Sequence, residues 1–223
     1  MPGYRLIFMG APGTGKGTQA QRLAAREGLA ALSSGDVLRS EIKLGTPIGH
    51  KAEQYVSSGL LVPDEVVIGI MLAALARASS TAPGWVLDGF PRTVPQAEAL
   101  MRGLHQQQLD LDGVLDFRLE DAEIIRRISS RRVCSKCQAT YNTRLLRPRR
   151  EGVCDRCGGE VSQRADDREE VIATRLATYR SQTAPLIGYF SARGMLHVVD
   201  AAPPAEQVEA AVTAILGALT RGS

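Results

Sequence analysis

Residues 10–18 read GAPGTGKGT, with Gly10, Gly15 and Lys16 spaced as in a phosphate-binding loop. The hydroxyl such a loop carries directly after the lysine is displaced by one, so that Gly17 takes its place and Thr18 follows. Glycines let the backbone curl until successive N–H groups face anionic oxygens. A helix starting near Lys16 would add the positive end of its dipole, and the ammonium can reach outer phosphates as a point charge. The competing reading is a strand-to-helix turn that is merely rich in glycine. The flanking elements, an apolar run before and a helical pattern after, argue against that.

A second chemistry is written in the cysteines. All four lie in two C-x-x-C pairs, Cys134/Cys137 and Cys154/Cys157, separated by sixteen residues. That spacing brings four thiolates into a tetrahedron around Zn²⁺. Disulfides fit poorly, because the sequence shows no secretion signal and no cysteine lies elsewhere. A redox pair fits poorly too, because Cys157 leads into Gly158-Gly159 and not into a helix. A closed four-thiolate site has no open position for catalysis, so its expected role is to hold the segment folded.

Arginine supplies a third. It accounts for 23 of the 27 basic residues, and nine basic residues fall between Arg126 and Arg150 without one acid. Such a block reads as a solvated face, a nucleic-acid patch or a cradle for small phosphates, which the planar guanidinium fork suits. The net charge of +3 does not by itself imply nucleic acid.

The elements that must position these groups follow from periodicity. Short apolar runs at Tyr4–Met9, Trp85–Leu87, Gly113–Leu119 and Met195–Val199 alternate with helical patterns at 16–27, 66–78, 169–191 and 204–219. This is an α/β pattern with a parallel sheet, and Pro185 predicts a break in the third of those helices. Asp88 ends one predicted strand. Residues 33–62 and 130–167 interrupt the alternation and read as insertions that move as units, leaving 1–32, 63–129 and 168–223 as the core. At 223 residues, 44% hydrophobic and 23% charged, the chain is long enough for one sizeable core and is not composed like a disordered one. No run reaches the ~20 apolar residues of a membrane helix. The expectation is a cytoplasmic protein, monomeric for want of coiled-coil heptads, with no membrane partner.

GAPGTGKGTQ, SSGDVLR at 33–39, LDGFPRTVPQA at 87–97 and QRADD followed by Arg175 stand in the order seen in long-lid adenylate kinases, which the chain resembles over nearly its whole length. The resemblance implies a P-loop fold with a five-stranded parallel sheet and two mobile insertions, a nucleotide-monophosphate-binding one and a zinc-binding lid. It implies reversible transfer between ATP and AMP giving two ADP, with Mg²⁺. By resemblance, Gly13, Thr14, Gly15, Lys16, Gly17 and Thr18 hold ATP phosphates, Arg127 stacks on the ATP base and Tyr141 lies nearby. Arg39 and Arg92 hold the AMP phosphate, while Ser34, Gln96, Gly89 and the Leu61–Val62 backbone read adenine. Arg131, Arg164 and Arg175 surround the transferring group, the last two also facing AMP, and Asp88 with Thr18 lies near Mg²⁺. Asp166 and Asp167 match the family's paired acids without an assigned role. Two departures loosen the reading of the bases: Ser34 stands where the family often has threonine, and Asn142 where it often has histidine. A kinase for another nucleoside monophosphate, or a zinc-ribbon nucleic-acid-binding protein, is the alternative. The second would leave GFPRT and Arg39 without purpose and lacks aromatic residues for base stacking.

Overall fold

The computed structural model describes residues 3–144 and 146–219. The chain runs β1 (Arg5–Gly10), α1 (Lys16–Glu27), β2 (Ala30–Ser33), α2 (Ser34–Leu44), α3 (Pro47–Ser58), α4 (Asp64–Thr81), β3 (Trp85–Asp88) and α5 (Val94–Gln106). It continues through β4 (Gly113–Arg118), α6 (Asp121–Ser129), β5 (Arg131–Cys134), β6 (Thr140–Asn142) and β7 (Val161–Ser162). After a single 3-10 turn at Ala165–Asp167 come α7 (Glu169–Thr178), α8 (Pro185–Ser191), β8 (Leu196–Asp200) and α9 (Ala205–Leu219).

Five strands form a parallel sheet in the order β2-β3-β1-β4-β8. Strand β1 is apolar at successive positions because both of its faces are covered. Leu6 and Phe8 pack with Leu23 of α1 and Val212 of α9, while Ile7 and Met9 pack with Met71, Leu100 and Phe190 on the other side. The register pairs Ser33 and Phe8 with Asp88, so the carboxyl ends of β2 and β3 finish together and β1 runs two residues further, to Gly10. In open α/β sheets that edge is where ligands bind.

The four strand runs read from the sequence are all present, as β1, β3, β4 and β8. The fifth, β2, sits at the sheet edge. The predicted interruption of the third helix is also present, and it precedes the proline. Between α7 and α8 the backbone widens over Tyr179–Thr183, Ala184 N bonding Tyr179 O five residues back at 2.8 Å, and Pro185 then opens α8. A proline at a first turn loses no intrahelical bond.

Two pieces stand on this sheet. Helices α2 and α3 are capped by Ser33 and Thr46, whose side chains accept from Asp36 N and Gly49 N. Strands β6-β5-β7 make a separate antiparallel sheet. Among the described residues no helix is long and apolar enough to cross a membrane.

Candidate active site and metal centre

The loop after β1 turns through left-handed glycines, Gly13 and Gly15 both at φ 87°, and delivers α1 with neither a side-chain cap nor an acid in its first turn. Its N–H groups are thus left for an external anion. The displaced hydroxyl leaves room for an acid. A Cβ on Gly17 would lie 2.8 Å from Asp88 Oδ2, so a serine in that place would require the carboxylate to shift. Thr18 is exposed one residue further on, whereas Thr14 is buried and donates to Ala11 O at 3.0 Å. A cavity of about 290 Å³ opens beside Asp88, bordered by Gly17, Ser33 and Asp36.

Arginines from every part of the chain converge on this edge. Arg131, at the start of β5, makes a two-pronged pair with buried Asp167, one prong at 2.7 Å. Arg175 of α7 reaches Asp167 Oδ1 at 2.8 Å and Asp166 Oδ2 at 3.2 Å. Arg39 of α2 donates to Asp36 at 2.6 Å and lies 3.9 Å from Asp166, and Arg164 lies 3.5 Å from Asp36. Arg92 donates from Nε to Gly89 O at 2.7 Å, an oxygen that also accepts from Ser34 Oγ at 2.5 Å. Asp166 and Asp167 thereby become the bases on which the arginines are mounted.

The cluster is electrostatically unfinished. Burial lowers Lys16 to about 8 against the pull of Asp88, and Arg92, Arg175 and Arg131 add to the lowering. Burial and then Arg175 lower Arg92 to about 10; burial, then Arg39 and Arg131, do the same to Arg164. Burial opposes the Arg131 charge as well, but the hydrogen bond to Asp167 together with the charges of Asp167, Asp166 and Asp88 outweighs it, and its pKa is raised. Burial opposes the Asp166 charge, yet Arg175, Arg39, Arg131 and Arg164 hold it below the usual carboxylate range. Arg39 Nε, Arg164 Nε and Asp88 Oδ1 are buried without a partner among the described residues. Buried donors and acceptors are seldom left so, and here the donors fit bound oxyanions while the lone Asp88 oxygen fits a hydrated cation.

The insertions meet over the cleft. Besides Arg39–Asp166 and Arg164–Asp36, Lys43 of α2 donates to Ser135 O of the cysteine segment at 3.3 Å. At the far side Arg127 is held by Glu123 at 2.7 Å and donates to the carbonyls of Ala201 and Ala202 at 2.9 and 3.1 Å. Leu61 and Val62 border α4, and Val62 is buried in the main apolar cluster. The basic block is divided by this folding. Arg131 pairs with Asp167, Arg127 with Glu123 and two carbonyls, Arg132 bonds backbone carbonyls, and Arg144, Arg147, Arg149 and Arg150 are exposed on the cysteine segment.

In that segment the Sγ atoms of Cys134, Cys137, Cys154 and Cys157 all lie within 4.8 Å of one another, with Cys134–Cys157 and Cys137–Cys154 at 3.5 Å. Four thiolates at ~2.3 Å from one zinc ion require about this separation, so the residues fit the metal. Lys136 N and Arg156 N donate to Cys134 and Cys154 at 3.4 Å. Tyr141 faces inward: its hydroxyl donates to Cys154 Sγ at 3.4 Å and accepts from Asp155 N at 2.8 Å. That bond, first among several, pulls the Cys154 thiol down to about 6.

A P-loop on a five-stranded parallel sheet, with a second cluster of arginines facing it across a cleft, defines the class of P-loop nucleoside monophosphate kinases. Comparison with known proteins narrows it. The adenylate kinase family model matches residues 8–195. Adenylate kinase of Carboxydothermus hydrogenoformans is 45% identical over 93% of this chain and 97% of its own length. Those of Citrifermentans bemidjiense (46%, over 96% and 99%) and Thermodesulfovibrio yellowstonii (43%, over 95% and 98%) are similar to the same extent. The chain belongs to the adenylate kinase family.

The sequence reading named the arginines but not what holds them. Asp36 stands three residues before Arg39 and Glu123 four before Arg127, spacings that signal helical pairs. The partner of Gln96, Asp64, is 32 residues away and leaves no local signal.

Proposed function

We propose that this cleft transfers the terminal phosphoryl group of ATP reversibly to AMP, giving two ADP, in one in-line step. The observation that carries the reading is the convergence of Lys16, Arg39, Arg92, Arg131, Arg164 and Arg175, drawn from the core and both insertions, on one sheet edge. Gly13 to Thr18 cradle the ATP phosphates, and Lys16 follows them toward the acceptor. Arg39 and Arg92 hold the AMP phosphate. One of its oxygens attacks the γ-phosphorus while the bond to the β–γ bridging oxygen breaks, and that electron pair leaves on the ADP formed. Arg131, Arg164 and Arg175 face the charge that builds on the transferring oxygens, preplaced so that nothing reorganises. Mg²⁺, bound with the nucleotide, adds charge neutralisation on the phosphates. Asp88, at the end of β3, would orient it, with Thr18 on the first turn of α1.

Arg127 packs on the ATP base, and Tyr141 contributes to that side through the lid's backbone, its ring being committed to the thiolates. Ser34, Gly89, Gln96 and the Leu61–Val62 backbone read adenine. Segments 33–62 and 130–167 move as units on a core of 1–32, 63–129 and 168–223, and their closing excludes water as an acceptor. Structural zinc on the four cysteines holds the second unit folded. The protein works as a cytoplasmic monomer on free nucleotides.

A coupled assay with a panel of acceptors tests this. ADP should form from ATP with AMP, and scarcely with CMP, UMP or GMP; equal use of several acceptors would refute the AMP assignment. Lys16→Met should abolish transfer while the circular dichroism spectrum stays unchanged.

A further inference from the structure

Gln96 is buried at the first turn of α5, and both ends of its amide are already engaged. Arg92 N donates to Oε1 at 2.8 Å, and Nε2 donates to Asp64 Oδ1 at 2.7 Å. A backbone N–H only donates and a carboxylate only accepts, so the flipped amide would set donor against donor and acceptor against acceptor. Asp64 is fixed in turn. Its other oxygen accepts from Thr93 Oγ1 at 2.8 Å, and Thr93 Oγ1 caps α5 by accepting from Gln96 N. Its place as first residue of α4 puts the carboxylate at a helix N-terminus, where negative charge is stabilised.

What remains free on Gln96 is one N–H and one oxygen lone pair, side by side in a fixed order. A 6-aminopurine presents the complement, an amino donor at C6 beside an N1 acceptor. A 6-oxopurine presents the reverse, an oxygen acceptor beside an N1–H donor. We infer that Asp64 is a specificity-determining positioning residue, which locks the Gln96 amide in the orientation that accepts adenine and rejects hypoxanthine or guanine. This deepens the proposed reading of Gln96 and rests on it. A free amide could rotate to serve either base; a locked one leaves the wrong base with unpaired groups, the arrangement by which sites reject analogues strongly.

The plain alternative is a tie between the starts of α4 and α5 with no bearing on the base. The two are separated by measuring kcat/KM for AMP and for inosine monophosphate, which differ only at this edge, with ATP as donor. Asp64→Ala should lower the AMP preference by roughly ten- to hundredfold, chiefly through a higher KM for AMP, with KM for ATP unchanged. Asp64→Asn, nearly the same shape with one acceptor oxygen fewer, should lower it less and in the same direction, and it keeps the test alive should the alanine variant fail to fold. Gln96→Ala should collapse the preference outright. If Gln96→Ala collapses it and both Asp64 variants leave it intact, Asp64 is only a tie. If Gln96→Ala leaves it intact, the base is read elsewhere and the reading beneath the proposal fails.

Discussion

The two insertions solve one mechanical problem by different physics. Helices α2 and α3 have no core of their own, yet Leu38, Ala52 and Val62 are buried in the main apolar cluster with Met71, Leu87 and Leu100. The helical insertion is therefore stabilised by the same burial that stabilises the sheet. The cysteine segment is cut off from that cluster. Its own apolar cluster is Cys134, Ala139, Tyr141, Cys154 and Val161, two of them from the four-cysteine group, under three short strands. A unit this small cannot offset its own conformational entropy by apolar burial, and its four-cysteine cluster offers a metal that role. The difference bears on the chemistry, because Arg131 and Arg164 leave from the two ends of the cysteine segment whereas Arg39 rides on the core-held one.

The largest expected effect follows from removing a ligand. Cys134→Ser should bring metal content below one per chain and cost the lid most of the ~10–16 kcal/mol that structural zinc supplies in small metal-folded peptides. Hydrogen exchange should then show residues 131–162 losing protection while 34–58 keep theirs; equal loss in both would erase the distinction. Leu38→Ala tests the other side. At a buried leucine it should cost about 2–5 kcal/mol, and it should lower the main melting transition with metal content unchanged. The smallest effect belongs to Tyr141→Phe, which deletes the hydroxyl's bond to a ligand sulfur and the one it accepts from Asp155 N, and keeps the ring. About 0.5–1.5 kcal/mol of metal affinity should be lost, read by competition with a chromogenic chelator. A change confined to the KM for ATP would assign the hydroxyl to nucleotide instead.

The same contrast decides what could be read in advance. The phosphate loop and the cysteine pairs are contiguous, and their chemistry follows from spacing alone. The arginine cluster is assembled from five segments, and its members were named by family resemblance because a lone arginine carries no signal. Asp36 stands at helical spacing from Arg39, but the hold of Asp167 on Arg131 and the lock formed by Asp64 exist only once distant segments are folded together. Strand β2 escaped because AALS has no β-branched or aromatic residue and lies half-exposed at the sheet edge. At Gly17 the carboxylate of Asp88 comes close enough to crowd a Cβ, an approach the sequence does not show.

A metal on the four thiolates would place Arg131 and Arg164 and leave the acceptor side to the core. One measurement tests it most directly: strip the metal with a chelator, confirm its loss by elemental analysis, and compare AMP affinity with the rate of phosphoryl transfer in the stripped protein. AMP affinity should stay within a few-fold, transfer should fall by roughly 10²–10³, the scale of losing a preorganised charge donor, and added zinc should restore it. Undiminished transfer in metal-free protein, or AMP affinity lost in step with transfer, would contradict it.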